Sequence, residues 1–97
     1  MDRPRIARLY WDGWNIEHVT KHGITPPEAG EVIVGKAIVN ETYKQRVQFV
    51  GPSASGRILS VVVSRVPHTP DVWYVFSARP ASRKKRAAYA QSQTVNE

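Results

Sequence analysis

The chain has 97 residues, 41% of them apolar, so one small domain around one core is expected. It has no cysteine, which excludes disulfides, thiolate metal sites and a cysteine nucleophile, and no apolar stretch approaches the ~20 residues that span a bilayer. The net charge of +6 is placed unevenly: residues 1–42 hold five Lys/Arg against six Asp/Glu, and residues 43–97 hold nine against two. A basic field confined to one half suits a polyanion such as RNA, DNA or an acidic protein, beside the plainer role of keeping a small protein soluble. The N-terminus, MDRPRIARLYW, is basic but lacks the apolar run of a signal peptide, so a reducing cytoplasm is the expected setting.

In chain order, residues 5–11 are rich in large side chains and partly alternating, which predicts a short strand. Asp12 is placed to cap a helix with Ile16 and Val19 on its inner face, His22 as C-cap and Gly23 as the left-handed residue that follows. Thr25-Pro26-Pro27-Glu28 reads as a capping box with proline in the first turn. It opens a second helix that should run to about Val34, stop at Gly35 and bury Ala29, Val32 and Ile33. The period then changes. Residues 37–43 and 45–50 are β-rich, 51–56 form a connector, 57–65 hold the most apolar run and should be the central strand, and 72–78 form another strand after a turn at 67–71. Four strands with short connectors imply an antiparallel meander. Pro80 ends the last of them, and Ser82 is placed to cap a final helix over 83–91. The domain is expected to span 1–91, with 92–97 a frayed tail.

Three segments together resemble the BrnT family of toxins. Tyr10-Trp11-Asp12, Lys21-His22-Gly23-Ile24, Glu28-Ala29 and Glu31-Val32 are similar to its opening signature. Arg57-Ile58-Leu59 leading into Val61-Val62-Val63 is similar to its central hairpin strand, and Ser77-Ala78-Arg79-Pro80-Ala81-Ser82-Arg83 with Tyr89 to its closing one. The resemblance covers about residues 9–90. It implies an α+β, RelE-like fold: a twisted antiparallel β-sheet of four to five strands with two N-terminal helices and one C-terminal helix. It also implies a ribonuclease toxin that blocks translation, with a ribbon-helix-helix antitoxin as partner and operator DNA contacted only through that antitoxin. Two features depart from the family pattern. Lys85 stands where an acidic residue is usual, and the strand before Ser77 carries no basic residue.

Metal-free RNA cleavage requires a group that takes the 2′-hydroxyl proton, charge stabilisation on the phosphorane and a proton for the leaving 5′-oxygen. Histidine, with a free pKa of about 6.5, suits proton transfer, and arginine grips phosphate oxygens in pairs. His22, with Lys21 beside it, is the first choice for proton transfer; the competing reading is that both cations only meet the helix C-terminus. Arg79 and Arg83 bracket a strand-to-helix corner and are the expected phosphate ligands. Arg46, Arg57 and Arg65 flank strands, where any one could line a concave sheet face and bind RNA, although each alone reads more simply as solvent-facing. Lys84, Lys85 and Arg86 look like a nonspecific phosphate track or a patch for an acidic partner. Tyr89 can stack on a base, although a tyrosine among alanines more often anchors packing. Trp11 and Trp73 are expected in the core and Trp14 in contact with a base or partner. His18 and His22 share a helix face but lack the glutamate of the zinc-protease motif, so no metal and no cofactor are expected. Three functions remain open: a toxin ribonuclease, a binding module of the same fold without turnover, and a subunit of a repressor complex.

Overall fold

The computed structural model describes residues 3–94. The elements follow as β1 (Arg8–Tyr10), α1 (Gly13–Lys21), α2 (Pro26–Val34), β2 (Ile38–Glu41), β3 (Val47–Pro52), β4 (Ile58–Arg65), β5 (Val72–Pro80) and α3 (Arg83–Thr94). They form an α+β fold of three helices and one five-stranded sheet in the order β1-β5-β4-β3-β2. From β2 to β5 the sheet is the expected antiparallel meander. The expectation of an all-antiparallel sheet is corrected at its edge: β1 runs parallel to β5, with Arg8 opposite Val72 and Tyr10 opposite Tyr74. The strand direction is set by the long path through α1, α2 and the meander, which the short β1 segment itself does not encode.

The first two helices begin and end for local reasons. Asp12 accepts from the Asn15 backbone N–H at 3.0 Å, and its own N–H donates to Asn15 Oδ1 at 2.7 Å. At the other end Ile24 N–H donates to Val19 O and Gly23 N–H to Thr20 O. That is a Schellman closure, and it requires the left-handed conformation Gly23 adopts at φ +76°. Thr25 and Glu28 close the reciprocal capping box of α2 as their spacing predicts. The α2 C-terminus is held by Arg3, whose guanidinium donates to the carbonyls of Ile33, Gly35 and Ala37.

One face of the sheet carries the core. Val19, Ala29, Val32 and Ile33 from the first two helices and Ile24 from the turn between them pack on Val47, Phe49, Leu59, Val61, Val63, Trp73, Val75 and Ala78. Ile16 is not part of it. It is 42% exposed, and Asn15 takes the inward position at 0%. The amide is inward because β5 has an unpaired edge where β1 stops. Asn15 Nδ2 donates to Tyr10 O at 2.9 Å and to Val75 O at 3.0 Å, so a side chain continues the ladder that β1 leaves. The opposite face of the sheet is partly covered by α3, with Tyr89 and Ala81 packed on Val50, Ile38 and Ile58. The α3 helix continues to Thr94, three residues past its expected end, and 95–97 lie outside the described residues.

Candidate functional site

The face opposite the main core is arranged by an irregularity in β5. Val62 pairs with Ser77 and Val63 with Val75, so Phe76 has no partner on β4. The extra residue slips the alternation by one. Trp73 and Val75 point to the core before the bulge, and Ala78 does after it. Without the bulge Arg79 would share the core side with Trp73 and Val75. With it, Arg79 lies opposite Ser60, away from the core and exposed to solvent.

Arg46 directly precedes the core residue Val47 and therefore alternates to this same open face. Its guanidinium carbon sits 3.6 Å from the Phe76 ring centroid, a close cation–π stack. Next to Phe76 stands Trp14 of α1, with centroids 6.0 Å apart. Trp14, His18 and His22 recur every four residues and form one stripe on α1. The Trp14 and His18 rings stack at 4.8 Å and 9°, and His18 meets His22 edge-on at 5.5 Å. The result is a continuous row, Arg46–Phe76–Trp14–His18–His22, that joins the open face of the sheet to the exposed side of α1.

His22 is placed as the spacing predicts. The cap at this position is made by backbone, with His22 N–H donating to Val19 O at 3.0 Å, while the imidazole packs on His18. Lys21 pairs with Glu17 at 3.4 Å on the solvent side of α1. The chain around His22 and the end of β5 that carries Arg79 lie toward the same end of the sheet, the first on the core side with Val19 and Ile24, the second pointing away from the core. Gly23 O is bound by Arg57 at the start of β4, and the start of β4 pairs with the end of β5, Leu59 opposite Pro80. Arg83 is exposed at the first turn of α3. Lys84 and Lys85 line a shallow cleft of about 260 Å³ between α3 and the sheet, and Lys85 Nζ reaches Gln48 Oε1 at 3.4 Å. Glu28 pairs with Arg57, and Glu31 accepts from the Ala54 N–H.

Other basic candidates are engaged in holding the fold. Arg57 binds both Gly23 O and the Glu28 carboxylate, at 2.9 Å each. Arg86 donates to Ala81 O at 2.7 Å, and Arg65 lies over Trp73 with 4.7 Å to the ring centroid. Tyr89 is buried and donates to Lys36 O at 3.1 Å, which makes it a packing anchor rather than a stacking surface. Trp73 is in the core and Trp11 packs against it, as expected. Sequence reasoning missed Phe76 and Asn15 as organising residues, and it weighed His18 only as a metal ligand. The four-residue spacing from Trp14 to His18 to His22 was the available signal for the stripe.

Two carboxylates tie the site to the fold. Asp12 is held below the ordinary carboxylate value, first by the Asn15 N–H and then by the Tyr74 hydroxyl, which donates to it at 2.9 Å. Glu28 is lowered by the Thr25 N–H and by Arg57. Tyr74 is pushed up to about 12 by desolvation and by Asp12. A lowered folded-state value contributes stability above the unfolded carboxylate pKa of about 4, and that stability is lost as pH falls through the folded value. A raised tyrosine value contributes stability below its unfolded pKa of about 10, lost as pH rises from there toward the folded value. Urea midpoints should therefore be flat near neutrality and fall on both sides, below about pH 5 and above about pH 10. Tyr74→Phe should flatten the alkaline limb; an alkaline limb identical in the variant contradicts the assignment.

No protein-family model matches the chain, and no curated protein matches its sequence. Among solved structures, the crystal structure of the Brucella abortus ribonuclease toxin BrnT superposes with a TM-score of 0.64 at 24% identity, over 78% of this chain and 97% of that one. No helix among the described residues is long and apolar enough to cross a membrane. The three helices and five-stranded mixed sheet of this chain share the fold of that structure.

Proposed function

We propose that this protein is the toxin of a toxin–antitoxin pair, a metal-independent endoribonuclease that cleaves mRNA and so inhibits translation in the cytoplasm. One observation carries the reading. On the fold of a ribonuclease toxin, a row of two imidazoles, an indole and a phenyl ring ends in a guanidinium and borders the open face that presents Arg79.

In this reading His22 takes the 2′-hydroxyl proton as the 2′-oxygen bonds to phosphorus. Arg79 and Arg83 hold the phosphorane oxygens, and Lys21 raises the positive potential beside the imidazole. As the P–O5′ bond breaks, the leaving oxygen takes a proton from water. The products are a 2′,3′-cyclic phosphate and a 5′-hydroxyl. Arg46, Lys84 and Lys85 extend the phosphate contacts away from the scissile bond. A ribbon-helix-helix antitoxin holds the toxin inactive and carries it to operator DNA.

The test is purified protein with single-stranded RNA in excess EDTA. The expected result is cyclic-phosphate ends, produced more slowly by the folded Arg79→Ala variant. Salt-sensitive RNA binding with no cleavage would replace this reading with that of a binding module.

A further inference from the structure

Trp14 is 54% exposed, whereas Trp73 in the same small domain is 3% exposed. Its indole is nonetheless held in place, by His18 flat against it and by Phe76 tilted beside it. A large, wet aromatic ring whose orientation is fixed by neighbours is what a nucleobase stacks on, since every base has a π-face and little ordering entropy remains to be lost. Beside it, the Arg46 guanidinium lies on Phe76. Stacking occupies the face of that plane and leaves its N–H edges chemically able to grip a phosphate. The segment that supplies Arg46 belongs to the half of the chain where Lys/Arg outnumber Asp/Glu nine to two.

We infer that Trp14 is a stacking platform for one unpaired base of single-stranded RNA, braced by His18, and that Arg46 on Phe76 holds the phosphate next to that base. Substrate RNA is then selected for an unpaired nucleotide beside the bond that is cut, because a base inside a duplex has no free face to offer. The choice of RNA as occupant rests on the ribonuclease reading, but stacking is measurable without cleavage.

The probe is a short single-stranded RNA with 2′-O-methyl groups, which binds but cannot be cut through its 2′-oxygens. Tryptophan fluorescence should be quenched on binding, and Trp14→Ala should lose that quenching and bind roughly tenfold more weakly. Trp14→Phe, which keeps a stacking ring, should retain most of the affinity. A parallel scan runs wild type and Trp14→Ala side by side and replaces one base at a time by an abasic site. One position should cost wild type a similar factor and cost Trp14→Ala almost nothing. Arg46→Ala should lower the slope of log affinity against log salt by about one. Equal affinity of wild type and Trp14→Ala, or an abasic scan with no sensitive position, overturns the inference. A protein partner covering the indole would give that outcome. Quenched binding without any cleavage of ordinary RNA keeps the platform and removes the ribonuclease reading. Cleavage that is indifferent to Trp14 does the reverse.

Discussion

Asn15→Asp should destabilise the domain by about 4 kcal/mol, a large share of the 5–15 kcal/mol that holds a domain of this kind together. The exchange is nearly isosteric, so packing is preserved. What changes is chemistry. The amide donates to Tyr10 O and Val75 O from a position with 0% exposure; the carboxylate donates to neither and faces both carbonyls with a negative charge. Both carbonyl acceptors lose their donor, and the buried charge keeps only the Asp12 N–H. Urea unfolding at neutral pH reads the effect as a lower midpoint. A midpoint within experimental error of wild type would show that Asn15 does not complete the β5 edge.

The second large effect is on activity. His22→Ala should lower the rate of RNA cleavage by roughly 10²- to 10⁴-fold, the range that a positioned proton-transfer group supplies. Its stability should move by no more than about 1 kcal/mol, because the α1 cap is made by the backbone of residues 19–24 and the imidazole contributes only its contact with His18 and its place near the helix dipole. The two readouts separate the roles considered for this residue. A purely capping histidine loses stability and leaves the rate per folded molecule unchanged.

What could be read in the sequence follows the range of the interactions. The Asp12 and Thr25 caps, the Gly23 closure and the buried side of α2 all depend on residues within a few positions of each other, and each appears as its spacing predicts. The meander was legible for the same reason. The direction of β1 was not, since a three-residue strand carries no mark of whether its neighbour runs with it or against it. Asn15 was hidden by its polarity. A helical pattern assigns apolar residues inward, and only the missing edge partner of β5 explains why an amide goes there instead of Ile16. Within the site, the shared face of His18 and His22 was read from their spacing, and Trp14, four residues earlier, carried the same unread signal. The contact of Arg46 with Phe76 was not legible, because it depends on a bulge in β5 and on register with β3, both long-range properties. The same bulge turns Arg79 outward. A residue chosen from its place at a strand end thus owes its orientation to an irregularity that alternation alone would have denied.

Expressing the wild-type chain and His22→Ala side by side from an inducible promoter, without an antitoxin, and following growth together with mRNA integrity tests the account at its centre. Induction of wild type should arrest growth with fragmentation of mRNA, and the folded His22→Ala protein at equal abundance should do neither. Growth arrest and fragmentation at the wild-type level in the variant, or intact mRNA in both, would contradict it.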